Sequence, residues 1–230
     1  MTSSVYNYQQ NAKLWLPMTA ACHDPVNLRT LDKSGNNLHA TFGNGATPTT
    51  YPTKLATRGY YLDGGDYLDV GLAPLLDFGS TGTVVAFVKP IGIPTTYRCI
   101  VAKQDWTTGR NGYSLFANFP VSTRVDIATL ITVNAVSVTS PDIDSSQAHF
   151  IASRWTGSFI HMYFDGYQGS TPQTINPTSV GWTFKIGTSP SAPNYYFKGN
   201  IYFVGAWNYA LSELQLRDLE QRLRRQLNDV

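Results

Sequence analysis

The sequence predicts an all-β protein: two antiparallel sheets packed as a sandwich, with one α-helix at the C-terminal end. Three observations carry this expectation. Aromatic residues make up 13% of the 230 and charged residues only 14%, alongside 19 Gly and 13 Pro. Strand formers and turn formers therefore dominate. Short apolar alternations separated by turn residues recur along most of the chain, and the hydrophobic period changes only after Leu211. An all-β chain of this length is expected to form a single domain.

The elements follow in order. Lys13-Leu14-Trp15-Leu16 reads as a first strand, stopped by Pro17. Residues 17–57 are loop-rich, with one apolar stretch at 38–42. Gly59–Leu62 and Tyr67–Val70 flank Asp63-Gly64-Gly65-Asp66, a hairpin or bulge signal. Thr83–Val88 is Val-rich and is ended by Pro90; Arg98–Lys103, Tyr113–Phe119 and Thr123–Val138 follow, the last holding two strands. His149–Phe164 is the clearest hairpin, with its turn read at Thr156-Gly157. That register sets Ile151 opposite Met162 and Ser153 opposite Ile160. On the other face it pairs Phe150 with Tyr163, Ala152 with His161, and Arg154 with Phe159. Large apolar groups stand on both faces, so the outer face of this sheet is expected to be covered or sticky. Trp182–Ile186 and Gly199–Trp207 are the last strands.

Leu216, Leu219, Leu223 and Leu227 then fall on one helical face, and Ser212 with Gln215 forms a capping box at its start. The basic residues of this helix are balanced by Glu213, Asp218, Glu220 and Asp229. A solvated helix laid on the sandwich is expected, with a partner-docking helix as the alternative. The expected organisation is an N-terminal arm (1–11), a sandwich (12–211) and a terminal helix (212–230).

Composition excludes several function classes. The net charge of +2 argues against a nucleic-acid partner. No run approaches the ~18 apolar residues of a membrane span. The N-terminal residues have neither the basic flank nor the apolar stretch of a secretory signal, so synthesis in the cytoplasm without Sec export is expected. Cys22 and Cys99 are too few for a disulfide framework; two separate buried thiols or a single bridge both remain open.

Four stretches together resemble the laminin G-like branch of the concanavalin A-like lectin/glucanase superfamily. Tyr61-Leu62-Asp63-Gly64-Gly65-Asp66-Tyr67-Leu68 resembles its F-D-G-x-D-Y segment. Residues 82–90 resemble its F-T-v-s-a-W-v-k-P strand, and residues 148–166 end on the family's Y-v-D-G as Tyr163-Phe164-Asp165-Gly166. Residues 197–212 resemble its G-x-I…L-s segment. The resemblance implies a jelly roll with the terminal helix alongside. It leaves function open, because the fold hosts lectins, hydrolases and structural modules.

Glycoside hydrolysis needs two carboxyl groups flanking the scissile bond. Of 15 acids only Glu213 and Glu220 are Glu, both in the terminal helix, so the family's E-x-D-x-x-E strand is missing. Asp63/Asp66 and Asp142/Asp144 are pairs, but Asp is a habitual turn former, and no enzyme is expected. The resemblance implies a calcium loop at Asp32-Lys33-Ser34-Gly35-Asn36, weakened because Tyr202-Phe203 stand where partner acids are expected; a plain Asx turn is the alternative. Otherwise no cofactor is expected. His149 and His161 fall on opposite hairpin faces and cannot share zinc.

Two loops combine aromatic faces with polar groups, the chemistry of sugar recognition: one with Trp106, Arg110 and Asn111, the other with Asn194, Tyr195 and Tyr196. The same residues suit protein–protein contacts. The first functional expectation, from family habit, is a non-enzymatic bacteriophage virion protein. It would be a capsid-decoration or tail-associated module assembled in the host cytoplasm, with other virion subunits and itself as partners. The alternatives are a lectin-like module binding cell-surface glycan and a degenerate glycoside hydrolase.

Overall fold

The computed structural model describes residues 6–43, 52–55, 58–92, 98–104, 112–118, 126–131, 134–139, 146–172, 181–191 and 194–228. After a short helix α1 (Tyr8–Asn11), the first strands are β1 (Leu14–Leu16), β2 (His23–Asp24), β3 (Arg29–Thr30), β4 (Ala40–Phe42) and β5 (Thr53–Lys54). β6 (Tyr60–Asp63), β7 (Leu68–Gly71), β8 (Gly82–Pro90), β9 (Arg98–Gln104), β10 (Gly112–Asn118), β11 (Asp126–Ile131) and β12 (Asn134–Thr139) follow. The last are β13 (His149–Thr156), β14 (Phe159–Phe164), β15 (Tyr167–Pro172), β16 (Phe184–Ile186) and β17 (Lys198–Trp207), before helix α2 (Glu213–Asn228).

These strands form the expected two-sheet sandwich. One sheet runs β15-β14-β13-β8-β17-β6-β5, with β1 also paired to β17; the other runs β12-β11-β10-β9-β16-β7-β4-β3-β2. All strand pairs are antiparallel. The inner faces meet in a core that includes Leu14, Tyr60, Leu68, Val84, Tyr113, Trp155, Met162 and Phe184, all fully buried. Burial of this apolar surface, aliphatic and aromatic together, is the dominant favourable term in folding.

The first sheet has a second apolar face. In register across it lie Phe203, Phe87 and Phe150, and beside them Trp15, Gly205, Val85, Ala152 and Tyr163. α2 covers this face with Leu216, Leu219 and Leu223. Its N-terminus carries the capping box: Ser212 N donates to Gln215 Oε1 at 2.7 Å, and Gln215 N to Ser212 Oγ at 3.2 Å. The doubly apolar hairpin therefore has a cover within its own chain, and burial in an oligomer is not needed to explain it. The N-terminal segment folds back onto the same helix. Tyr8 is buried, and its hydroxyl donates to Asp218 Oδ2 at 2.9 Å.

Two local expectations are corrected. The β13–β14 turn falls at Gly157-Ser158, pairing Thr156 with Phe159 and Ile151 with Phe164. Thr156 is β-branched and fits the strand better than the turn. The shift moves each partner by two residues, so every side chain keeps its expected face. β6 and β7 do not pair with each other. Leu62 and Leu68 both point into the core, so the Asp63–Asp66 turn carries the chain from one sheet to the other. Of the two readings left open for the cysteines, separate buried thiols is the one observed: Cys22 and Cys99 are both free and buried.

Candidate functional site

A groove opens at the edge of the helix-covered face, where β1, the segment before it and the C-terminal half of α2 converge. It has two adjoining lobes of about 440 and 390 Å3. Both are lined by Gln9, Trp15, Leu223 and Gln226. The first adds Tyr6, Tyr8 and Arg222; the second adds Pro17, Lys33, Arg58 and Phe203.

Trp15 forms the shared wall. It sits opposite Gly205 on β17. A Cβ there would meet the rings of Phe203 and Trp207 at 2.8 Å, so only glycine leaves room for three aromatic groups. Trp15 meets Phe203 edge-on at 4.7 Å between centroids and Trp207 at 6.1 Å. The indole is thus fixed from behind and remains half-buried.

The loop that resembles a calcium site holds this strand in place. Asp32 Oδ1 accepts from Trp15 N and Ser34 N, both at 2.9 Å; Oδ2 accepts from Ser34 Oγ at 2.7 Å and Leu38 N at 3.1 Å. Asn36 Nδ2 donates to Lys13 O at 3.1 Å. Every lone-pair direction of the carboxylate is engaged by a protein donor. No group of three or more His, Cys, Asp or Glu converges for a metal among the described residues. These residues do not fit calcium at Asp32, and the loop's role is to position Trp15.

The electrostatics of the two lobes differ. In the first, Arg222 pairs with Asp218 at 2.9 Å and lies 5.2 Å over the Tyr8 ring. Burial and the hydrogen bond to Asp218 push the Tyr8 phenol well above its ordinary pKa, so it stays a donor. In the second lobe, Arg58 is only 8% exposed. Its Nε donates to Pro17 O at 3.3 Å and its Nη2 to Gln226 Oε1 at 3.0 Å. Burial holds this guanidinium below its usual value.

The residues expected from sequence fall elsewhere. Trp106, Arg110 and Asn111 lie outside the described residues, as do Asp142 and Asp144. Asn194 is exposed on a turn, and Tyr195 and Tyr196 are half-buried. Tyr195 O accepts from Cys99 N at 2.8 Å, so the backbone of this loop is stitched to β9, away from the groove. Asp63 and Asp66 serve their turn: Asp63 Oδ1 accepts from Gly65 N at 2.7 Å, and Asp66 Oδ2 from Asp63 N at 3.1 Å. Burial raises the Asp66 pKa. In the sequence Trp15 is visible only as part of the first strand, and Arg58 carries no signal.

The fold and this site can be set against known proteins. The sequence model of the Concanavalin A-like lectin/glucanases superfamily matches residues 62–217. The chain belongs to that superfamily. No curated protein matches the sequence. Among solved structures, the CBM40 domain of Ruminococcus gnavus IT-sialidase, bound to α2,3-sialyllactose, aligns with a TM-score of 0.56 at 12% identity. The alignment covers 71% of this chain and 96% of that one. Trypanosoma rangeli sialidase aligns with a TM-score of 0.64 at 14% identity, over 90% of this chain but only 32% of the sialidase. At these identities the likeness is one of fold.

Proposed function

We propose that this chain is a non-catalytic carbohydrate-binding module and that the Trp15 groove receives the sugar. One observation carries the reading: an indole braced from behind by Phe203 and Trp207 forms the wall shared by two open lobes, and Gln9 and Gln226 line both. A sugar ring stacks its C–H face on an aromatic plane and exchanges hydrogen bonds with amides. The bound sialyllactose of the CBM40 relative, which aligns over nearly its whole length, supports the same class of ligand. A glycan array followed by calorimetry tests it. Binding should fall at least about tenfold in Trp15→Ala, roughly the worth of one stacking contact, and several-fold in the exposed Gln226→Ala. Retention of no glycan, or binding that both variants leave intact, would remove the proposal.

A second reading, a bacteriophage virion module working through protein contacts, is favoured by Leu72 and Leu75. They are 64% and 48% exposed, close together just after β7. Co-sedimentation with assembled particles, lost in a Leu72→Ser/Leu75→Ser variant, is the expected result; a monomer with no affinity for particles counts against it.

A further inference from the structure

We propose that the Arg58 lobe of the groove is the binding site for the oxyanion of an acidic saccharide, a sugar carboxylate or sugar sulfate, while the ring rests on Trp15. This deepens the carbohydrate reading and rests on it.

The argument begins with charge. A guanidinium offers five N–H donors. Among the described residues, Arg58 donates to two neutral acceptors, a backbone carbonyl and an amide oxygen. Among the described residues, no carboxylate lies within ion-pair distance of it. A charge that is more than nine-tenths buried is costly unless it is paired. Here the neighbours add to the charge. Lys33 lines the same lobe, exposed and without an acidic partner among the described residues, and burial and then repulsion from Arg58 lower the pKa of nearby Lys54.

The other lobe gives the contrast. Its one cation, Arg222, is neutralised by Asp218. The groove is therefore polarised, with one neutral aromatic lobe and one lobe carrying two positive charges and no acid in its lining. Guanidinium and oxyanion form charge-assisted, geometrically matched hydrogen bonds. An inorganic anion would use Arg58 and Lys33 alone. The adjoining Trp15 and Phe203 faces and the Gln9 and Gln226 amides favour an anion attached to a sugar.

The test compares oligosaccharides of equal length: neutral, uronate-bearing and sulfated. Each is titrated against wild type, Arg58→Gln and Lys33→Ala at low and physiological salt. Sodium sulfate is run as a separate probe of thermal midpoint. Wild type should prefer an acidic oligosaccharide to its neutral counterpart by at least about tenfold, with affinity falling as salt rises. Whether uronate or sulfate wins identifies the source of the anion. Arg58→Gln should abolish the preference, and Lys33→Ala should reduce it several-fold. Lys33 is exposed, so this second variant carries the test if Arg58→Gln fails to fold. Trp15-dependent binding of neutral sugars with no gain from an acidic group would overturn this inference and leave the carbohydrate reading intact. Stabilisation by sulfate that Lys33→Ala loses, with no oligosaccharide bound, would keep the anion lobe and remove the saccharide. An acidic preference that both variants preserve overturns the assignment to Arg58.

Discussion

The carboxylate of Asp165, on the turn between β14 and β15, accepts the guanidinium of Arg224 from α2. The same carboxylate accepts from Phe150 N at 2.8 Å and meets His149 Nδ1 at 2.6 Å. Arg224 also bonds Glu220 Oε1 at 2.8 Å and Ala148 O at 3.0 Å. One acidic side chain thus ties the helix to the hairpin it covers. Asp165→Ala would leave the Phe150 N–H without its acceptor and take one partner each from the buried His149 imidazole and the Arg224 guanidinium. We expect a loss of about 3 kcal/mol in chemical denaturation. Arg224→Ala should cost less, because its own side chain is partly exposed, and a double-mutant cycle should show coupling of about 1 kcal/mol. Additive effects would mean that the bridge is not energetically real.

The capping box makes a second prediction. Ser212→Ala removes the acceptor for Gln215 N and should destabilise by about 1 kcal/mol, read as a lower denaturation midpoint at unchanged m-value. An unchanged midpoint would show that packing of Leu216 and Leu219 alone fixes the start of the helix.

Two histidines set a pH dependence. His161 is made less basic by burial and by Arg154, and His23 by burial and by Lys54. In the unfolded chain both return to about 6.5. Below that pH the unfolded state binds more protons than the folded state, so stability is lost as pH falls. The thermal midpoint should be level from pH 8 to 7 and decline from 6.5 to 5, with a shallower decline in His161→Gln. A midpoint that rises on acidification would contradict the burial of these rings. Asp24 acts lower on the scale: bonds from Asn27 and Arg29 hold its pKa at about 2, so its contribution is lost only in stronger acid.

The cysteines give a chemical test. Both thiols are buried, and burial pushes Cys99 far above its usual pKa. A thiol reagent at pH 8 should find no fast-reacting group in native protein and two after denaturation, with or without prior reduction. A count of zero in the denatured, unreduced protein would reveal a disulfide.

The strands and the helix were legible because their periods are strong. Leu216, Leu219 and Leu223 mark one helical face, and the two-sided hairpin announced a cover without saying that α2 supplies it. β15 went unread although Asp165-Gly166 is a hairpin signal. Both residues have positive φ, 44° and 88°, as a two-residue turn into β15 requires. β2, β3 and β5 have two residues each, too short to show an alternation. The groove was the least legible part. Trp15, Arg58 and Gln226 are far apart in sequence and meet only because β1, β17 and α2 pack together. Asp32 is ambiguous in sequence for a related reason: a carboxylate that accepts four protein donors has the same local sequence as one that holds a cation.

The lid on the outer face of the first sheet is made last. α2 follows every strand in sequence, so a growing chain on the ribosome displays Phe87, Phe150, Phe203 and Trp207 to solvent until those final sixteen helical residues emerge. A chain that lacks α2 would keep this apolar face open, the kind of surface that makes folding intermediates prone to aggregate, however well its inner core has formed.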